Sequence, residues 1–465
     1  MTRGFVPTPE SVVDLMVDLL FRDTLPSASS SVLDPGCGDG AFIDGIIRWC
    51  KRRNCELPRI VGIELDKSRH SQAVGRFHAY PTISITCADF LALRTEPRFD
   101  YVVGNPPYVS ILELSQAERA SFRDRYQTAR GRFDLYILFF EQAIRLLNPS
   151  GRLVFITPEK YLYVETGAAL RRLLSLHDVN RIHFVGEETF GSLTTYPTIS
   201  VVDKSEPKHH TRVVHRDGRK SHIAFPNNGE SLLPTLAEYS QPRTNGVLAD
   251  VCLRVSCGVA TGADQIFVAR KAELDPTLEQ YAYPTLSGRQ LVPGSQSFQE
   301  RDVMLIPYDA HGDLLPLSRL DGLARYLSER ERKACLLQRT CARRKPWHAF
   351  HDSVPLPEIL RPKILCKDIA EKPEFWIDRG GTIVPRHSLY YMTPKDPAML
   401  DALADYLSSE DALNWMRANC QRAANNFLRL QSSVLRRLPI PDSLLPSDST
   451  GRRSVDEQLT LTLAP

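Results

Sequence analysis

Several common signatures are missing from this sequence. No run approaches the roughly 18 consecutive apolar residues that a membrane-spanning helix requires, which argues against a helical membrane protein. Ten cysteines are present, yet none form a Cys-x-x-Cys pair. The nearest spacings are Cys50/Cys55, Cys252/Cys257 and Cys335/Cys341, with no histidine pair at zinc-finger spacing. A zinc module and a disulfide scaffold are therefore disfavoured, and reduced, mostly buried thiols are expected. No charge dominates: 58 Lys and Arg oppose 55 Asp and Glu, for a net charge of +3. Such a balance argues neither for nor against a nucleic-acid partner. Neither an internal repeat nor a low-complexity tract is present. The opening residues, Met-Thr-Arg-Gly-Phe-Val-Pro, lack the charged-then-apolar build of a secretory signal, and a cytoplasmic protein is expected.

What is present is alternation. A chain of 465 residues exceeds one ordinary core, so two domains are expected. Up to about residue 205, short apolar runs at 31–34, 60–65, 83–87, 101–103, 153–157, 182–185 and 199–202 read as strands. Helix-period stretches lie between several of them, at 12–21, 42–53, 135–147 and 167–176. This order predicts an α/β doubly wound sheet with mostly parallel strands. Pro149-Ser150-Gly151 stops the third of these helices just before a strand. From about 203 to 245 the pattern weakens, and turn residues suggest the end of the sheet and a linker. Residues 248–445 regain apolar runs without βα alternation and read as an α+β domain, followed by a polar, loosely ordered tail. The expected division is 1–240, 241–445 and 446–465.

Asn105-Pro106-Pro107-Tyr108 follows the apolar run that begins at Phe99. Each proline fixes its own φ and biases its predecessor toward extended geometry, leaving carbonyls free for a ligand. A carboxamide, stiff carbonyls and a flat ring on one rim suit an exocyclic amine held in line with an electrophile. Asn105, Pro106 and Tyr108 are thus candidate catalytic residues. Upstream, Asp34-Pro35-Gly36-Cys37-Gly38-Asp39-Gly40 leads from the first strand into a helix. Glycines at such a turn let the backbone approach a ligand closely. Glu64, 24 residues beyond Gly40, ends the second strand where an acid accepts from ribose hydroxyls. Ala88-Asp89-Phe90 ends the third, offering an acid for a base amine and a ring to stack on it. The third glycine comes one residue too early for a dinucleotide fingerprint. An acid beside the loop would repel a pyrophosphate but suits the sulfonium and ammonium of S-adenosylmethionine.

With these residues in order, the chain resembles the gamma-class DNA adenine-N6 methyltransferases, in particular the TaqI-like enzymes. Further matches are Phe5-Val-Pro-Thr-Pro-Glu-Ser-Val-Val-Asp-Leu-Met, Asp134-Leu-Tyr-Ile-Leu-Phe-Phe-Glu and Gly151-Arg-Leu-Val-Phe-Ile-Thr-Pro-Glu-Lys. Cys37 and Asp39 depart from the family's usual glycine loop, and the loop after Phe190 looks longer than usual. The resemblance implies a Rossmann-like S-adenosylmethionine-dependent methyltransferase domain with a C-terminal α+β target-recognition domain. It implies that Pro7 and Thr8 touch the cofactor beside Asp34, Gly36, Gly38, Glu64, Asp89 and Phe90, with Asn105 and Pro107 bordering it. A target adenine must leave the duplex to be methylated. Tyr108 then stacks on one face and, by the family match, Phe190 on the other, with Tyr196 as a substitute.

The C-terminal half resembles the recognition domain more softly, through Gly258-Val-Ala-Thr-Gly-Ala-Asp-Gln-Ile-Phe, Leu286-Ser-Gly-Arg-Gln-Leu and the segment from Asn425 to Pro441. Between Arg325 and Lys345 stand eight Lys or Arg against two Glu, and between Arg417 and Arg437 five Arg and no acid. Arg289, Arg343, Arg344, Arg417, Arg422 and Arg429 are expected DNA contacts, with Asn425, Asn426 and Gln431 as amides able to read bases. The expected partner is double-stranded DNA, recognised by a monomer, with a separate restriction endonuclease acting at the same site. A nuclease domain fused ahead of the cofactor segment is not expected, nor is a metal. Protein-glutamine methylation and cytosine-N4 methylation remain the alternatives, because their amines pose a similar problem to the same rim.

Overall fold

A computed structural model describes residues 6–22, 24–94, 98–186, 196–237, 244–295, 298, 301–422 and 427–445. The chain forms two units, Met1–Leu236 and Ala237–Pro465.

In the first unit, short runs rich in apolar residues become the strands of one sheet, and the central ones are buried on both faces. They are β1 (Ser31–Asp34), β2 (Arg59–Glu64), β3 (Ile83–Cys87), β4 (Phe99–Gly104), β5 (Leu147–Pro158), β6 (Asp178–Phe184), β7 (Pro197–Asp203), β8 (Thr211–Val214) and β9 (Lys220–Ile223). Their order is β3-β2-β1-β4-β5-β7-β6-β8-β9. Pairing is parallel from β3 through β5 and between β6 and β8, whereas β7 runs antiparallel to both its neighbours. Every residue of β1 and β7 is buried. The expected doubly wound α/β sheet is therefore present.

The longer helices that accompany the sheet are α1 (Glu10–Leu20), α2 (Ala41–Arg53), α3 (Lys67–Phe77), α4 (Gln116–Arg125), α5 (Leu135–Leu146) and α6 (Ala168–Leu174). α1 buries Val12, Val13, Met16, Val17 and Leu20, spaced as one helix face. α2 carries Lys51, Arg52 and Arg53 in its last turn, where cations oppose the helix dipole, and Asn54 closes it in a left-handed conformation. α5 is buried almost all round, from Tyr136 to Leu146, as expected of a helix packed into the interior.

Two expectations need correction. The stretch from about 203 to 245, expected as the end of the sheet followed by a linker, holds two further strands, β8 and β9, an antiparallel hairpin that extends the sheet beside β6. Its strands are four residues long and β9 is mostly polar, so they carry little hydrophobic signal. α3 and α4 were also unanticipated: α3 buries only Ala73 and Phe77, and α4 only Phe122.

The second unit is α+β. One antiparallel sheet runs Cys252–Cys257, Leu389–Pro394, Lys363–Lys367, Phe375–Asp378. Another runs Val268–Arg270, Asp302–Leu305, Ala282–Leu286, Val384–Pro385. A small third sheet joins Ile369–Ala370, Leu428–Arg429 and Gln421–Arg422. Helices Asp321–Ser328, Arg330–Gln338, Leu400–Leu407 and Glu410–Asn419 lie between strands in sequence. All ten cysteines are free thiols, and only Cys87 is exposed. Among the described residues, no helix is long and apolar enough to cross a membrane.

The β1–α2 turn depends on one glycine. Gly40 has φ +95°, and a Cβ there would lie 2.2 Å from the ring of buried Phe77. Gly40→Ala is expected to cost about 1–3 kcal/mol through backbone strain and overpacking. A denaturant midpoint equal to that of the parent chain would contradict this packing.

Candidate active site

The chain runs from β1 outward through β2 to β3, then crosses back to β4 on the other side of β1. In a doubly wound sheet, the crevice beyond the carboxyl ends of the strands at such a reversal is the favoured ligand position. A cavity of about 500 Å³ opens there, and Gly36, Glu64, Asp89, Phe90, Asn105 and Pro107 are among its lining residues.

Three acids end the first three strands. Glu64 is buried, and its Oε2 accepts from the Gly38 amide at 2.9 Å. Its Oε1 accepts from the Asp66 amide at 2.7 Å and from Arg69 Nη2 at 3.3 Å. This carboxylate therefore anchors the glycine loop, and its remaining lone pairs can accept from hydroxyls in the cavity. Asp89 is exposed, and its Oδ1 caps a short 3₁₀ turn by accepting from the Leu91 amide at 2.9 Å. The ring of Phe90 is buried at 4.9 Å from that of Phe139. Leu65, absent from the sequence reading, is 66% exposed at the lip of the same cavity. An exposed leucine directly after the strand-ending acid was the signal for it.

Asp34 lies beneath the loop, fully buried, with no well-formed hydrogen bond to either carboxylate oxygen. Burial pushes its pKa up to about 8; the Gly36 amide opposes the rise, and the charges of Glu64 and Asp39 add to it. An orphaned buried carboxyl beside a glycine turn fits a cationic ligand, which would draw it back to the charged form.

The rim is held from a distance. Asn105 Nδ2 donates to the Val6 carbonyl and to Thr8 Oγ1, each at 3.1 Å. A carbonyl only accepts, so this bond fixes which end of the amide carries nitrogen. Asn105 Oδ1 is consequently the free end, buried and without a partner. Among the described residues, no hydrogen bond reaches the adjacent Pro106 carbonyl. Thr8, expected to touch cofactor, thus orients the carboxamide as well, while Pro7 is exposed beside it. Tyr108 is half-buried, its ring edge-on to Tyr136 at 6.4 Å and its hydroxyl inward without a partner. Burial raises the pKa of that hydroxyl far above the ordinary phenol value.

Phe190 lies outside the described residues, as do Asn425 and Asn426. Tyr196, the substitute for Phe190, packs under Arg216 at 5.0 Å. The same guanidinium lies over Phe184 and bonds buried Glu159. That face of Tyr196 is therefore covered.

The expected DNA contacts divide into two groups. Arg289, Arg343 and Arg344 are exposed, and Arg289 lines a second-unit cavity. Arg417 is exposed but donates to Glu410 at 2.7 Å and Asn414 at 2.8 Å. Arg422 and Arg429 lie on the small third sheet, with Arg429 3.8 Å from Asp368. Within the basic stretch, Arg339 is spent internally, donating to the carbonyls of Thr261, Trp347 and Ala349. Lys345 likewise donates to the His351 carbonyl. The charge run is therefore partly structural.

The sheet and its switch-point cavity have the Rossmann-like fold of the S-adenosylmethionine-dependent methyltransferases, and that fold together with the family match implies S-adenosylmethionine as the cofactor. Residues 59–190 match the family model of the Eco57I restriction-modification methylases. The type II methyltransferase M.PaeR7I of Pseudomonas aeruginosa is 28% identical over 94% of this chain and 86% of its own. M.XhoI of Xanthomonas vasicola is 28% identical over 94% and 91%. The resemblance read from the sequence is thereby borne out: the chain is similar to the Eco57I restriction-modification methylases and to type II methyltransferases. Among solved structures, the type IIL restriction-modification enzyme MmeI in complex with DNA shares the fold. It has a TM-score of 0.64 at 13% identity, covering 92% of this chain and 64% of that larger one.

The buried acid generates a pH prediction. Asp34 binds a proton in the folded chain up to about pH 8, against an ordinary value of 3.8. Between these values the folded state holds more protons than the unfolded, so its stability falls as pH rises. In cofactor-free protein, Asp34→Asn is expected to flatten the thermal midpoint between about pH 4 and 8 relative to the parent. Parallel midpoint curves for the two proteins would contradict the assignment.

Proposed function

We propose that this chain transfers a methyl group to N6 of an adenine turned out of a specific duplex DNA sequence. Residues 241–445 recognise the site, the enzyme acts as a monomer, and a separate endonuclease cuts the same sequence when it is unmodified. The observation that carries this reading is Asn105 Oδ1, without a partner among the described residues on the lining of the cofactor cavity, followed in the chain by a Pro106 carbonyl that is likewise unbonded among them.

An adenine amine is a poor nucleophile because its lone pair is delocalised into the ring. Two acceptors on its protons, Asn105 Oδ1 and the Pro106 carbonyl, favour a pyramidal nitrogen and aim its lone pair. When bound, S-adenosylmethionine supplies a methyl carbon activated by the positive sulfur, so the new N–C bond forms as S–C breaks. With the cofactor bound, Glu64 would accept from its ribose, Asp89 would accept from its base amine, and Phe90 with Leu65 would pack on its adenosine. Gly36, Gly38 and Pro107 let backbone and ring approach it closely, while Asp34 and the segment at Pro7 and Thr8 serve the cationic end. Alignment and preorganised acceptors then supply the rate. The surplus proton on N6 rests at Asn105 Oδ1 or the Pro106 carbonyl before passing to water, so no histidine or carboxylate base is required.

Tyr108 stacks on the extruded base, a contact worth roughly 1–3 kcal/mol, and Phe190 takes the opposite face. Names among the relatives support DNA as the substrate: they are type II methyltransferases, and the fold is shared by an enzyme solved with DNA. Exposed Arg289, Arg343 and Arg344 suit phosphate or base contacts, with Arg417, Arg422 and Arg429 as further cations on that unit.

The direct test incubates purified chain with methyl-labelled cofactor and duplex DNA, then digests the DNA to nucleosides. Label in N6-methyladenosine is expected. Label in N4-methylcytosine would move the reading to the cytosine amine, and label only in protein glutamine would replace it.

A further inference from the structure

The second unit holds an opening of about 620 Å³, lined in part by Asp264, Arg289, Lys367, Asp368, Arg386 and His387. Two of these charged groups are engaged within the protein, although Arg386 Nε is itself buried without a partner. Arg386 donates to Gln290 and Asp302, each at 2.7 Å, and Asp264 accepts from Thr261 Oγ1 at 2.5 Å.

Asp368 is different. Its main chain is clamped on both sides: its amide donates to the Ser388 carbonyl at 3.1 Å, and its carbonyl accepts from the Leu430 amide at 2.8 Å. Its Oδ1 is nevertheless buried with no hydrogen-bond partner. The cation paired with it, Arg429, has its Nε 3.8 Å away, beyond hydrogen-bond reach. A rigidly held acceptor left unmet is costly, and an arriving N–H group would relieve it. Arg289 lines the same opening and is exposed.

Chemistry narrows the visitor. A phosphate would meet the carboxylate as a like charge, and a metal ion would meet Arg289 and Lys367. Adenine's major-groove edge pairs a donor with the N7 acceptor, which a second carboxylate oxygen would repel. Cytosine presents its N4 amine there, and its guanine partner presents O6 and N7, the pair that an arginine fork matches.

We propose that Asp368 and Arg289 read one C·G base pair of the methylated site, with Asp368 accepting from cytosine N4 and Arg289 donating to guanine O6 and N7. This assignment rests on the reading of the chain as a sequence-specific DNA methyltransferase.

The test maps methylated positions on a plasmid library that carries every base at each position of the site. Wild-type chain, Asp368→Asn and Arg289→Ala are compared. Wild-type protein is expected to require C·G at one position. Asp368→Asn, nearly isosteric, is expected to lose roughly ten- to hundredfold discrimination at that position alone. Arg289→Ala, truncating an exposed side chain, is expected to relax the same position. Unchanged discrimination in both variants, or relaxation at two different positions, overturns the assignment. Absence of any methylated base with wild-type protein overturns the DNA-methyltransferase reading, and this assignment with it. That outcome is thereby distinguished from a failure of Asp368 alone.

Discussion

The hydrogen bonds from Asn105 Nδ2 to the Val6 carbonyl and Thr8 Oγ1 hold the site in its working form. They join residues 99 and 97 positions apart in the chain, closing the segment before α1 over the end of β4. They also decide the chemistry of the rim, because an amide that spends its N–H groups on the protein has only its oxygen left for a ligand. Both N–H groups are spent on the protein, and the buried Oδ1 is left as a pure acceptor. The neighbouring prolines keep the chain extended and leave the Pro106 carbonyl beside it. A target amine is thus met by acceptors whose orientation is fixed before it arrives, which is the condition for preorganised electrostatic catalysis.

The cofactor side follows complementary logic. Asp34, Glu64 and Asp89 bring three carboxyl groups to one end of the sheet, and their mutual repulsion is handled in different ways. Glu64 is neutralised by Arg69 and tied to the Gly38 amide. Asp89 caps a turn in water. Asp34 has neither remedy, and burial pushes it toward the neutral form. A positively charged sulfonium compound resolves this arrangement, whereas a dinucleotide pyrophosphate would worsen it.

The parts of the fold that depend on buried apolar runs were legible in the sequence, and β1 through β7 fall where those runs lie, within a few residues at most ends. α3 and α4 escaped because Ala73, Phe77 and Phe122 are nearly all that they bury. Their capping residues were the readable signal: Asp66 accepts from the Ser68 and Arg69 amides, and Ser115 and Glu118 form a reciprocal box. In the site, the strand-ending acids and the Asn-Pro-Pro-Tyr rim were legible because each is local in the chain. The Val6–Asn105 bond and the orphaned Asp368 oxygen were not, since both depend on contacts between distant segments. Charge counting also overstated the basic stretch before Lys345, because a count does not distinguish Arg339, bonded to four carbonyls, from the exposed Arg343.

The most direct test of the rim is the single-turnover rate of methyl transfer by Asn105→Ala, measured beside its affinities for cofactor and duplex DNA. Loss of the aimed oxygen predicts a rate lower by roughly a hundred- to a thousandfold, with DNA affinity within a few-fold and cofactor affinity within about tenfold of the parent. A near-normal rate, or a loss wholly explained by weakened cofactor or DNA binding, would contradict the account.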